Sequence, residues 1–392
     1  MAMEIIEMLK FVAEHGGERP SDVLLRWRGR ELPFALEDAV VQIESRQRTR
    51  LKLPGFNSCP EFLYPSVLAS EQASDEAVAA FHASLVNVGE KVVDLTAGLG
   101  IDAFTIAGKA GTVTVAEMNP ETNAALRHNA AALGLGNVTV LPPCDCREVL
   151  HELEADVVFM DPARRGDGGR RIFALADCAP DVTVLLPELL QRFQRLIVKA
   201  SPMLDITQTI RELPGVSAIF AVARKGELKE ILAVVGRNEH VSPTVEAVNI
   251  LSDGTVRRYL GSAVQRTEIT ATSEPAQGQY IYMPDAAVMK LGPYASLTRH
   301  FEGLYKLDQN TNLYIAEREL EDFPGRISHI AEVFTPNDKR LKELKGLKFN
   351  IITRNYPMSP EQLRRKLKTK DGGDRFLYAA RCDGRPLLIL CS

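Results

Sequence analysis

Two stretches of this chain carry residues whose types and spacing suggest chemistry. In VFMDPARRGDGGRR, residues 158–171, an apolar run ends in Asp161-Pro162 and is followed by Arg164, Arg165, Arg170 and Arg171 among the glycines Gly166, Gly168 and Gly169. A carboxylate at a strand end can accept hydrogen bonds, and a flat guanidinium can stack on a planar ring or grip a phosphate. The same residues also fit an exposed loop of solvated arginines. In VVDLTAGLGIDA, residues 92–103, Asp94 stands at a strand end and Gly98 and Gly100 fall in the turn before a helix.

Gly98-x-Gly100-x-x-Ala103 also fits a dinucleotide fingerprint, so the glycines alone say only that something approaches the backbone closely. Three carboxylates narrow the choice. Asp94, four residues ahead of Gly98, can reach a ligand's amino group. Glu117 ends the next strand, where it can accept from both hydroxyls of a ribose, and Asp145 ends the third, beside an adenine edge. An amine, a ribose and an adenine without a pyrophosphate describe S-adenosyl-L-methionine. Thr96, Met118 and Cys146 flank these positions and count with the cofactor-binding set.

The elements that must position these residues are legible as patterns. KVVDL, VTVAE, VTVL, DVVFM and LIVKA are short runs rich in valine and isoleucine, and helical segments separate several of them. This alternation predicts an α/β domain with a parallel sheet, closed by a strand pair at Val216–Ala223 and Lys229–Val235. Residues 1–85 read as mostly helical, broken at Gly16-Gly17 and Pro54-Gly55. A polar stretch at Gly236–Pro243 suggests a boundary, followed by an α+β tail with hairpins at Ser252-Asp253-Gly254 and Asp383-Gly384. Ser359-Pro360-Glu361-Gln362 carries an N-cap, a first-turn proline and a capping-box glutamine.

At 392 residues the chain is long for one core, against a prior of about 150 residues per domain. Six scattered cysteines without a CxxC pair indicate neither a disulfide framework nor a zinc site, and no metal is expected. With no signal-peptide pattern and no long apolar run, the expectation is a cytoplasmic protein without membrane contact. The net charge of −4 hides an asymmetry: residues 336–370 hold 11 Lys+Arg against 3 Asp+Glu, a local +8, leaving −12 on the remainder. Such asymmetry suits a chain of which one part meets nucleic acid, although a solvated basic surface reads the same way.

Asp94-x-x-x-Gly98-x-Gly100, Glu117, Asp145 and Asp161-Pro162 stand in the order of the class I S-adenosylmethionine-dependent methyltransferases, which residues 86–236 resemble. EQASDEAVAAF, DPARR and RNYPMSPEQLRRKLKTKDGGDRFLY extend the resemblance to a bacterial group of these enzymes that carries a ferredoxin-like and a THUMP-like domain. The implied layout is a helical region at 1–85, a Rossmann-like methyltransferase domain at 86–238, a ferredoxin-like domain at 239–320 and a basic THUMP-like domain at 321–392. THUMP domains proper bind RNA, so the resemblance implies an RNA substrate without identifying it.

The resemblance also assigns roles. In relatives that methylate a base nitrogen, the fourth strand ends in Asn/Asp-Pro-Pro-aromatic, and the carboxylate and proline carbonyl hold the amine's hydrogens; Asp161 and Pro162 match, whereas Ala163 and Arg164 depart from the pattern. Arg164 and Arg165, Lys199 at the fifth strand's end, and Arg364, Arg365 and Lys366 in the tail are the candidate substrate-binding groups. Glu71, Gln72 and Ser74 are candidates for the cofactor's methionine end, with Ser74 also readable as a helix cap. Asp205 is placed near the site, and Glu227 and Glu230 are read as strand residues. A uracil-C5 enzyme needs a cysteine after the fifth strand, where this chain has Ser201-Pro202, too poor a nucleophile unless activated. Transfer to a protein or small molecule, and a binding protein that keeps the fold without turnover, remain alternatives. The oligomeric state is not legible.

Overall fold

The computed structural model describes residues 2–164, 174–237 and 242–392. Arg165, Gly166, Gly168, Gly169, Arg170 and Arg171 lie outside them. The chain forms two compact units, Met1–Ser217 with Glu230–Val241, and Ala218–Lys229 with Ser242–Ser392.

The first unit opens with α1 (Ala2–His15), α2 (Pro20–Trp27) and α3 (Leu36–Thr49). Met8, Phe11, Val12, Val23, Leu36, Ala39 and Ile43 form a local core, as the three- and four-residue spacing requires. Two short helices then lead to α4 (Glu76–Ser84), whose N-cap is Asp75, accepting from the Ala77 amide at 3.0 Å. Ser74 is therefore not the cap, which corrects that expectation.

The valine-rich runs form β1 (Lys91–Asp94), β2 (Thr112–Val115), β3 (Val138–Val140), β4 (Val157–Met160) and β5 (Arg195–Ala200). They pair in parallel in the order β5, β4, β1, β2, β3. Every residue of β4 is buried, so its unbroken apolar sequence suits a sheet covered on both faces. The strand pair expected after β5 is β6 (Val216–Arg224) and β7 (Glu227–Gly236), and β7 runs antiparallel on β5. The register sets Asp94 opposite Val115 and Phe159, so the ends of β1, β2 and β4 share one edge. Two helices follow that edge, α5 (Ile101–Ala107) and α6 (Pro120–Ala132).

In the second unit, residues 218–224 pair in parallel with Thr244–Ile250, which forms the expected hairpin with Val256–Leu260. A seven-stranded sheet follows, in the order Tyr305–Asp308, Thr311–Ala316, Tyr280–Pro284, Gly325–Phe334, Arg385–Cys391, Lys370–Cys382, Lys348–Arg354. Gly325–Phe334 pairs with Tyr280–Pro284 on one side and Arg385–Cys391 on the other. The segments expected as ferredoxin-like and THUMP-like domains thus contribute to one sheet. Helix Pro360–Leu367 starts with both hydrogen bonds of the capping box at Ser359 and Gln362.

Gly100 tightens the turn that precedes α5. Its φ is +87°, and an added Cβ would lie 2.3 Å from Leu126 Cδ1 and 2.7 Å from Phe104 Cζ. Gly100→Ala combines a left-handed penalty with overpacking and is expected to destabilise the protein by about 2–4 kcal/mol. Urea unfolding should show a lower midpoint at unchanged slope; a midpoint within error of the parent would show that the turn relaxes freely.

Candidate active site

The glycine turn and the acidic strand ends meet at the shared edge of β1, β2 and β4. Asp94 Oδ1 accepts from the Thr96 amide at 2.9 Å, and Thr96 Oγ1 accepts from the Asp161 amide at 2.6 Å. One threonine therefore links two sequence-predicted acids. Glu117 accepts from the Gly98 amide at 3.0 Å and the Asn119 amide at 2.7 Å, which fixes its carboxylate over the loop. Gly98 has φ of +53° and open space where a Cβ would stand. Met118, next to Glu117, is 68% exposed.

Asp145 is the N-cap of a short helix, accepting from the Arg147 amide at 3.0 Å and paired with the Arg147 guanidinium. Those hydrogen bonds hold its carboxyl below the usual range. Cys146 is buried, and burial pushes its thiol up to about 11, so it is a packing residue rather than a nucleophile. Pro162 is buried, and the backbone of Arg164 pairs with Cys178. Asp205 caps the helix Ile206–Glu212 through the Gln208 amide, and Glu71 is ion-paired with Arg48.

Behind this edge lies a charge cluster that the sequence did not disclose. Lys199, expected to bind substrate, is largely buried and donates to Asp161 Oδ2 at 2.7 Å and Ser74 Oγ at 2.9 Å. Ser74 donates to Asp102 Oδ2 at 2.6 Å. Asp102 Oδ1 accepts from His82 Nδ1 at 2.8 Å, and His82 Nε2 donates to Glu230. Glu230 Oε2 is 3.8 Å from the Lys199 ammonium. Glu230, read from the sequence as a strand residue only, is in β7 but turns a buried carboxylate into this cluster. His82 and Asp102 carried no sequence signal beyond helical placement.

Four carboxylates (Asp94, Asp102, Asp161, Glu230) face two cations, so their charges must settle each other. Burial works against the His82 imidazolium, but Glu230 and Asp102 outweigh it and raise the ring to about 10. Burial likewise opposes the Lys199 ammonium, and Asp161, Asp102 and Glu230 again prevail, raising it. Asp102, despite its burial, is held low by His82 and Lys199. Burial pushes Asp94 up to about 8 and also raises Asp161, where Lys199 opposes the effect. A cationic group brought to Asp94 would favour its ionised form, so the residues fit the ammonium of S-adenosyl-L-methionine.

A parallel sheet with acidic strand ends, a glycine turn and an antiparallel last strand defines the class I methyltransferase architecture. Comparison with known proteins agrees. Residues 66–167 match the TRM5/TYW2 methyltransferase domain, residues 280–324 a ferredoxin-like domain and residues 325–392 a THUMP domain-like model. A protein of Porphyromonas gingivalis W83, assigned as a methyltransferase and known from its crystal structure, is 31% identical with a TM-score of 0.88, covering 99% of this chain and 98% of that one. An uncharacterized S-adenosylmethionine-dependent methyltransferase of Mycobacterium tuberculosis H37Rv is 27% identical across 80% of this chain and 84% of the relative. Ribosomal RNA small subunit methyltransferase J of Rhodopseudomonas palustris HaA2 is 30% identical across 34% of this chain and 70% of its own length. The chain belongs to the S-adenosylmethionine-dependent methyltransferases whose catalytic domain is joined to ferredoxin-like and THUMP-like domains.

Among the described residues, no cluster of histidine, cysteine and acidic groups can hold a metal, and no helix is long and apolar enough to cross a membrane.

The cluster makes stability pH-dependent. His82 has a folded-state pKa near 10 and an ordinary value of 6.5, so its contribution is complete below 6.5 and lost as pH rises through 10. Asp94, raised from 3.8 to about 8, loses its contribution in the same direction. The thermal midpoint is expected to fall steadily from pH 7 to pH 10, with a shallower fall in His82→Gln. A flat profile over that range would mean that neither group carries its shifted proton.

Proposed function

We propose that this enzyme methylates a base nitrogen of RNA, with Asp161 and Pro162 at the acceptor and Asp94, Thr96, Gly98, Gly100, Glu117, Met118, Asp145 and Cys146 around the cofactor. The observation that carries the reading is the placement of Asp161. Its carboxylate is 38% exposed by side chain, at the β4 end beside the glycine turn, while its backbone amide is tied to Thr96. When bound, S-adenosyl-L-methionine supplies an activated methyl group; the chain's task is to place the acceptor in line with it.

Asp94 meets the ammonium, and Glu117, each of whose oxygens already accepts one backbone amide, keeps further lone pairs for the ribose hydroxyls. The exposed Met118 offers an apolar face beside them. Asp161 accepts a hydrogen bond from the acceptor amine and takes the proton that the nitrogen sheds after transfer. The match to a TRM5/TYW2 domain, the THUMP-like tail and the ribosomal RNA methyltransferase relatives support RNA as the substrate class.

The tail supports it as well. Helix Pro360–Leu367 buries Leu363 and Leu367 and leaves Arg365 and Lys366 exposed, with exposed Lys368 and Lys370 following. Arg364 differs from its neighbours, because it is partly buried and engaged by Asp371. Arg365 and Lys366 therefore serve as phosphate contacts, while Arg364 holds the helix to the strand that follows it.

Three outcomes test the proposal. Asp161→Ala should reduce methyl incorporation into total cellular RNA by at least about a hundredfold while S-adenosylhomocysteine affinity, measured by calorimetry, stays within about twofold. Equal loss of both would assign Asp161 to the cofactor. Cofactor binding at pH 7 should release a proton from Asp94, detected as a dependence of the binding enthalpy on buffer ionisation, and affinity should rise with pH up to about 8. Arg365→Glu with Lys366→Glu should weaken RNA retention and flatten its salt dependence, with a slope smaller by about one per lost phosphate contact. Salt-independent retention, or none, would point to a protein or small-molecule acceptor.

A further inference from the structure

Asp161 is gripped on two sides. Its backbone amide donates to Thr96 Oγ1, and its Oδ2 accepts from the Lys199 ammonium at 2.7 Å. Lys199 is the more buried partner, its side chain 13% exposed against 38% for Asp161, so the ammonium stands behind the carboxylate. The ammonium is itself held by Ser74 Oγ at 2.9 Å and by Glu230 at 3.8 Å. Ser74 is oriented by Asp102, and Asp102 and Glu230 are bridged by His82. Besides the strand end of Asp161, the Ser74 loop, α5 and β7 surround the ammonium carried by β5, and α4 braces the last two through His82.

We propose that Lys199 is a positioning residue, held by Ser74 and braced by the His82–Asp102–Glu230 cluster, that fixes the Asp161 carboxylate through Oδ2 and leaves Oδ1 for the methyl acceptor. The inference rests on the reading of Asp161 as the group that faces the acceptor. It differs from the expectation that Lys199 binds substrate itself, because both of its hydrogen bonds go to Asp161 and Ser74.

The chemistry balances. The acceptor nitrogen's lone pair forms the new N–C bond, the pair of the breaking C–S bond returns to sulfur, and the nitrogen's surplus proton passes to Asp161 Oδ1. Lys199 stays protonated throughout, because Asp161, Asp102 and Glu230 face it, and it acts on Asp161 by charge and geometry. The groups facing Asp161 are Lys199 from β5, Asp102 from α5 and Glu230 from β7, with Asp94 one strand away on β1. Of these, only Lys199 lowers the carboxyl's proton affinity, against burial and the two acids. Removing it must make Asp161 harder to ionise.

The test uses the full-length protein carrying aspartate labelled with carbon-13 at the carboxyl, with the Asp161 resonance assigned through Asp161→Asn. In Lys199→Met the titration midpoint of Asp161 is expected to rise by about one pH unit or more, and in Ser74→Ala by less in the same direction. Lys199→Arg, which keeps the charge, should return the midpoint close to the parent value. An unchanged midpoint in a folded Lys199→Met protein would overturn the proposal; should that variant not fold, an unchanged midpoint in Ser74→Ala would do so.

Kinetics on total cellular RNA give the second readout. Lys199→Met should lower kcat by about tenfold or more, leave KM and S-adenosylhomocysteine affinity nearly unchanged, and move the acidic limb of the pH profile upward. A normal kcat, or loss of cofactor affinity, would reject the positioning role. If the parent enzyme does not methylate RNA, the choice of substrate has failed, and the carboxyl titration still decides the part played by Lys199.

Discussion

The Lys199 ammonium is the point on which the catalytic unit turns. It is buried among Asp161, Asp102 and Glu230, and a charge in that position is tolerable only when its partners surround it at hydrogen-bonding or ion-pairing distance. Those partners come from separate elements. The acidic ends of the sheet, the first turn of α5 and the antiparallel strand β7 must all be in place together, or carboxylates are left buried without a counter-ion. Burial pairs of this kind contribute little net stability relative to apolar packing, yet they penalise any arrangement in which one member is displaced. The cluster therefore ties the integrity of the fold to the geometry of the strand ends.

Placement of the reactive edge follows from the parallel sheet. Strands that run in one direction bring their carboxyl ends to one side, and the loops that leave them are free of the ladder's hydrogen bonds. Asp94, Glu117 and Asp161 use that freedom differently. Glu117 is held by two backbone amides, Asp161 by a threonine and a lysine, and Asp94 by the Thr96 amide in a pocket that favours its protonated form. Three acids on one edge thus have three electrostatic characters, each set by its surroundings and not by residue type.

The two compact units differ in their charge chemistry. The first concentrates buried, mutually compensating charges. The second carries exposed cations on and after its basic helix, Arg365, Lys366, Lys368 and Lys370, while the partly buried Arg364 pairs with Asp371. One sheet accommodates both the ferredoxin-like and the THUMP-like segments, with Gly325–Phe334, the first strand of the THUMP-like segment, pairing with a strand of each. Sequence models separate these segments at residue 325, where that strand begins.

Local pattern was sufficient for much of this. Runs of valine and isoleucine fixed the strands because β-branched residues suit buried sheets, and Gly98 and Gly100 marked a turn in which positive φ is needed. The order of acids along the strands was enough to suggest the class and its cofactor, and Ser359 with Gln362 announced a helix start. What sequence could not disclose is the partnership of residues far apart in the chain. His82 and Glu230 lie 148 positions apart, and Lys199 and Ser74 lie 125 apart. A lysine at a strand end, a serine before a helix and a glutamate in a hairpin each have an ordinary reading alone, and Ser74 was thereby open to being taken for a cap. Only the packing of β7 against β5 and of α4 against α5 brings them within hydrogen-bonding distance, because burial and proton affinity are properties of the assembled surroundings and leave no periodicity in the sequence.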